Sequence, residues 1–149
     1  MSIWWSLHLR REAASVPLAR RLLLGTMETA GVDPDVCYDL SVALSEACAN
    51  AVEHGGDTGH GGTSEAYRVT AYLDGEKCRI EVADSGPGFP SGRGRAPVRP
   101  AHSDAENGRG LCLIQELADH VHIGNKPGRG AVVSFDKMLK WRETPLVAT

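Results

Sequence analysis

The sequence offers little that would tie it to a membrane, to an oxidising compartment or to nucleic acid. Its run Leu22-Leu23-Leu24 stops at Gly25 and every later apolar run is shorter, far from the roughly 20 apolar residues that a membrane-crossing helix needs. The opening Met1-Ser2-Ile3-Trp4-Trp5-Ser6 has no basic stretch ahead of an apolar one and no small-residue cleavage site, so we expect a cytoplasmic protein. Positive charge is not in excess: 16 Lys+Arg stand against 19 Asp+Glu, for a net charge of −3. Such a chain has no bulk positive field for a phosphate backbone, and nucleic acid is not an expected partner. Cysteine is sparse, and Cys37, Cys48, Cys78 and Cys112 stand singly in apolar stretches, without a Cys-x-x-Cys pair or zinc-finger spacing. Buried free thiols are the expectation. There are no internal repeats.

What remains is the composition of one compact domain over residues 1–149, with 42% hydrophobic and 23% charged residues. Residues 3–10 end in an alternation that puts Trp5, Leu7 and Leu9 on one side and Ser6, His8 and Arg10 on the other, which predicts a half-buried strand at a sheet edge. Ser15 offers an N-cap with Pro17 just inside, and Val16, Ala19, Leu22, Leu23 and Met27 recur at helical spacing until Ala30-Gly31. Asp33 and Pro34 open a second helix with a stripe of Val36, Leu40, Leu44, Ala47 and Ala51. Glu46 and Asn50 fall on the margin of that stripe, between the core face and an open face.

After the glycine-rich segment 54–62, read as a mobile loop, the runs Ala66–Leu73 and Lys77–Ala83 flank Asp74-Gly75-Glu76 and predict a hairpin. Residues 84–110 are rich in Gly, Pro and Arg and predict a functional loop, with a lid at about 90–107. A third helix is expected at Leu111–Ala118, then strands at Val121–Gly124 and Ala131–Phe135 around a turn at 126–130, and a frayed or contact-making tail from Trp141. This order predicts an α+β two-layer sandwich, its mixed or antiparallel sheet covered on one face by about three helices.

Three segments carry chemistry. Glu46-x-x-x-Asn50 sits on a helix margin, Asp84-x-Gly86-x-Gly88 follows a strand, and Gly108-Arg109-Gly110-Leu111 opens a helix. In this order and at these separations they resemble the three nucleotide-binding boxes of the Bergerat-fold, histidine-kinase-like ATPases. The segment Ser45–His54 and the short length look most like the anti-sigma-factor serine kinases within that superfamily, over about residues 5–136.

The resemblance implies ATP and Mg²⁺ as ligands. It makes Asp84 the reader of adenine, and an Asp at a strand end can indeed accept a hydrogen bond from an exocyclic amine, with Gly86 and Gly88 letting backbone approach the base. Gly108, Arg109, Gly110 and Leu111 become the phosphate segment, where free amides at a helix start and the Arg109 charge favour an anion. Asn50 is the implied magnesium ligand, since Mg²⁺ takes few protein oxygens beside phosphate and water. Glu46 is the implied general base.

The implied activity is sequestration of a sigma factor, together with phosphorylation of a serine on a STAS-type anti-anti-sigma partner. The tryptophan-bearing edge strand and the first helix suit a homodimer or a sigma-binding face. Two positions depart from the pattern: Cys112 stands where a further glycine is common, and Ala131 where Thr usually supports the adenine contact. They motivate an alternative, a sequestering module without kinase activity. A histidine-kinase catalytic domain is disfavoured, because no phosphoacceptor helix pair fits within 149 residues. His54 is read as a helix-end dipole partner, His120 and His122 as surface residues, and Arg93, Arg95 and Arg99 as loop cations near phosphate or solvent.

Overall fold

The computed structural model describes residues 2–54, 66–84, 105–126 and 130–142. Strand β1 (Ile3–Arg10) leads into helices α1 (Ser15–Ala30) and α2 (Pro34–His54); strands β2 (Ala66–Leu73) and β3 (Lys77–Asp84) follow, then α3 (Ala105–Leu117), β4 (His120–Lys126) and β5 (Gly130–Met138). The strands form one sheet in the order β1-β2-β3-β5-β4, and every pairing in it is antiparallel. β1 is an edge strand, as its alternation predicts. The α+β two-layer reading holds, with the sheet wholly antiparallel.

Alternation along the strands decides which face the helices cover. Tyr67, Val69, Ala71 and Leu73 of β2 and Cys78, Ile80 and Val82 of β3 are buried together with Phe135 of β5. They meet the helix residues Leu23, Met27, Leu40, Leu44 and Ile114, all fully buried. Each such large side chain contributes roughly 1.5–3 kcal/mol through removal of apolar surface from water. α2 is the central helix, packed between α1 and α3 and lying on β3 and β5. No helix among the described residues is long and apolar enough to cross a membrane.

Local chemistry explains the element boundaries. Asp33 caps α2: its Oδ1 accepts the Asp35 amide at 2.8 Å, and Pro34 at the first helical position lacks a donor that would be idle there anyway. Removing the cap with Asp33→Ala should cost about 1 kcal/mol. A lowered urea midpoint with unchanged slope would show it, and an unchanged midpoint would refute it. α1 ends at Gly31, whose φ of 90° suits a residue without Cβ, and the Gly31 and Val32 amides close the helix on Glu28 O and Met27 O. In the β2–β3 turn, Asp74 Oδ1 accepts the amides of Glu76 and Lys77 at 2.7 and 2.8 Å, and these bonds hold its carboxyl below the usual range.

Two expectations need correction. Ser15 is not the N-cap of α1: Ala14 occupies that position with no side-chain bond, and Ser15 is a buried first-turn residue. α3 starts at Ala105 and not at Leu111, so Gly108, Arg109 and Gly110 lie within its first two turns and residues 105–107 of the expected lid are helical. Of the two readings of the tail, the contact-making one describes its start, since Trp141 bridges Val32 and the Arg142 amide donates to Gly31 O at 2.9 Å. The loop 55–62, lid residues 90–104 and turn residues 127–129 lie outside the described residues.

Candidate functional site

Glu46 and Asn50 sit one turn apart on α2, both half-buried, between the buried Ala47, Cys48 and Ala51. Their placement follows from the stripe: the core takes the apolar face, which leaves these two polar residues at its edge. Asp84 ends β3 and is half-buried. Its register partner on β2 is Tyr67, and directly opposed side chains share a sheet face, so Asp84 projects toward the helix layer. Its Oδ1 accepts the Ala131 amide of β5 at 3.4 Å, a long contact that aims the carboxylate.

The buried Cys48 thiol lies beside the Tyr67 hydroxyl. With α2 packed on the sheet, this places the helix segment between Glu46 and Asn50 over the strand position facing Asp84. The structure thus brings the Glu46 and Asn50 segment and Asp84 to one end of the sandwich. Leu111 of α3 is half-buried against the same core, with Cys112 beside it also half-buried. Gly108, Arg109 and Gly110 are placed by backbone on α3, the helix packed against α2. Gly86, Gly88 and the arginines 93, 95 and 99 lie outside the described residues, as does the side chain of His54.

Sequence reasoning passed over Tyr67. Its alternation with Val69, Ala71 and Leu73 already puts a phenol on the buried face, where a hydroxyl needs a partner. Three cysteines are buried and all four are free, Cys112 being half-buried. Burial pushes the Cys48 and Cys78 thiols up from 9.0 to about 12 and raises the Tyr67 phenol as well. A folded-state value above the unfolded one means stability is fully present below pH 9.0 and is lost as pH climbs toward about 12. Unfolding free energies from urea titrations should therefore fall above that onset, by about 1 kcal/mol per pH unit for each thiol. A flat profile through the window would contradict this. His120 and His122 are exposed; His120 Nδ1 meets Asp136 Oδ1 at 2.8 Å. No group of three His, Cys, Asp or Glu side chains suited to a metal occurs among the described residues.

Residues 9–137 match the family model of the histidine kinase-like ATPase domain. The chain belongs to the histidine-kinase-like ATPase family. Within this family it is 32% identical over 130 residues to the serine-protein kinase RsbW of Bacillus licheniformis, covering 83% of this chain and 78% of that one. It is 28% identical over 114 residues to the anti-sigma F factor of Thermoanaerobacter pseudethanolicus, covering 74% and 77%. The crystal structure of the RsbU and RsbW domains of a Mycobacterium tuberculosis protein superposes with a TM-score of 0.64 at 21% identity. That likeness is one of fold; it takes in 91% of this chain and spans about a third (33%) of the other. In this family setting, the half-buried carboxylate at the end of β3 and the polar pair on α2 are the groups to examine for nucleotide chemistry.

Proposed function

We propose that this histidine-kinase-like ATPase domain is an anti-sigma kinase that works by partner switching in the cytoplasm. It holds a sigma factor inactive and uses ATP to phosphorylate a serine on an anti-anti-sigma partner, which can then no longer free the sigma factor. The observation that carries the reading is the juxtaposition of the Glu46 and Asn50 segment with Asp84, in a chain about one third identical to serine-protein kinases over most of its length.

Each residue has a separate task. Asp84 accepts a hydrogen bond from the exocyclic amine of adenine, its carboxylate aimed by the Ala131 amide. That backbone contact leaves the position served without the threonine hydroxyl usual there. Gly86 and Gly88 give the base room. Gly108, Arg109, Gly110 and Leu111 form the phosphate segment in the first two turns of α3, where the positive end of the helix dipole and the Arg109 cation offset negative charge. Asn50 fits Mg²⁺, because a half-buried amide oxygen at the helix margin is a hard ligand of the kind that ion accepts beside phosphate oxygens. When bound, Mg²⁺ withdraws charge from the phosphate oxygens. Glu46, one turn from Asn50, accepts the proton of the attacking serine hydroxyl, and the remaining barrier is lowered by positioning. The β1 edge supports a homodimer: it ends the sheet and carries Trp4 at 64% exposure opposite Tyr72.

Reconstitution with a cognate sigma factor and its anti-anti-sigma partner tests this reading. The sigma factor should co-elute with the chain, leave it when unphosphorylated partner is added, and return during incubation with ATP. A non-hydrolysable ATP analogue should abolish the return. Return of the sigma factor with the analogue present would instead establish sequestration without kinase activity.

A further inference from the structure

Among the described residues, a buried polar chain joins three elements around the site. Ser15 Oγ donates its single proton to Glu12 O at 2.7 Å. The Tyr67 hydroxyl, 2.6 Å from Ser15 Oγ, is therefore the donor in that bond. The buried Cys48 thiol of α2 lies beside this hydroxyl. The direction Tyr67 to Ser15 to Glu12 uses each hydroxyl proton once, and linked bonds of this kind reinforce one another in a low-dielectric interior. A second tie runs alongside: Arg11 Nη1 donates to Val52 O at 2.6 Å. The last turns of α2 are thus bonded to the segment that joins β1 to α1, and the same segment is bonded through Ser15 to Tyr67 of β2.

These ties bear on the chemistry through their location. Cys48 lies midway between Glu46 and Asn50, and Tyr67 faces Asp84 across the β2–β3 ladder. We propose that Tyr67 is a positioning residue whose hydroxyl sets the spacing between the adenine end of the site, at Asp84, and the phosphate end, at Glu46 and Asn50. This rests on the kinase reading above. Adenine recognition needs only Asp84 and its surroundings, whereas in-line transfer needs α2 in register with the bound triphosphate. Loss of the hydroxyl is felt in kcat and spares nucleotide affinity.

The test compares wild type with Tyr67→Phe, Ser15→Ala and the double variant, using partner phosphorylation, ADP titration and amide hydrogen exchange. Each single variant should lower kcat about tenfold, with ADP affinity within about twofold of wild type. The double variant should be no worse than the more damaged single one, because both cut the same chain. Amides of residues 48–52 should exchange faster while those of 36–44 keep their protection. A lowered melting temperature with wild-type kcat in the folded variant would overturn the proposal, leaving Tyr67 only structural. Equal losses of kcat and ADP affinity would overturn it too, since Tyr67 would then serve the adenine pocket. If wild type transfers no phosphoryl group, the kinase reading fails by itself. The proposal is then decided by the gain in ATP affinity on adding Mg²⁺: a smaller gain in Tyr67→Phe supports it, and an unchanged gain overturns it.

Discussion

Replacing Glu46 with alanine lowers the rate of partner phosphorylation by about 10²- to 10⁴-fold, the range that general-base catalysis contributes, while ATP binding persists. The separation of the two effects follows from the fold. Glu46 is half-buried at the margin of α2 and belongs to neither the apolar stripe nor the β3 end that holds Asp84, the proposed adenine contact. Alanine is the best helix former and leaves α2 intact. The loss therefore falls on proton removal from the attacking hydroxyl. Single-turnover phosphorylation measured beside calorimetric ATP titration separates the terms. Unchanged phosphorylation would take the base role from Glu46; ATP affinity lost in the same proportion would make it a binding residue.

Asp84→Asn weakens ATP binding by about a hundredfold, in line with the loss of a charge-assisted hydrogen bond and its replacement by a mismatch. The substitution keeps shape and removes charge. Asp84 Oδ1 already receives the Ala131 amide, and a carboxylate has lone pairs on both oxygens for further donors. An amide has one carbonyl oxygen. Turned toward Ala131 it offers an N–H to the adenine amine, donor against donor; turned toward adenine it loses the β5 contact. The melting temperature should move little, because the Ala131 contact is long and the core lies beneath it. Calorimetry that finds wild-type affinity in Asp84→Asn would remove Asp84 from the adenine pocket.

Much of this architecture was legible because local and global signals agree. Asp33-Pro34 starts α2 by a mechanism that needs no tertiary context, and the stripe from Val36 to Ala51 is buried as its spacing requires. The β2–β3 hairpin likewise follows from alternation around Asp74-Gly75. Legibility ended where distant partners decide. Ser15 carries the chemistry of an N-cap, yet Tyr67, 52 residues away, claims its hydroxyl inside the core. Gly108 and Gly110 each disfavour helix by about 1 kcal/mol relative to alanine, so a boundary at Leu111 was the local reading; the structure carries α3 back to Ala105. Trp141 gives no local sign that it bridges Val32. The family was legible through its motifs, and the family match at 9–137 nearly coincides with the 5–136 expected. The Tyr67 and Ser15 chain was not, because hydrogen bonds between sequence-distant side chains leave no periodic trace.

The central claim is transfer of the γ-phosphoryl group of ATP to a partner serine. Its most direct test incubates the chain with γ-labelled ATP, Mg²⁺ and a cognate anti-anti-sigma protein, then locates the label by mass spectrometry. Label on one partner serine, absent when that serine is replaced by alanine, is the predicted result. A folded chain that leaves the partner unlabelled, or carries the label on its own histidine, would contradict it.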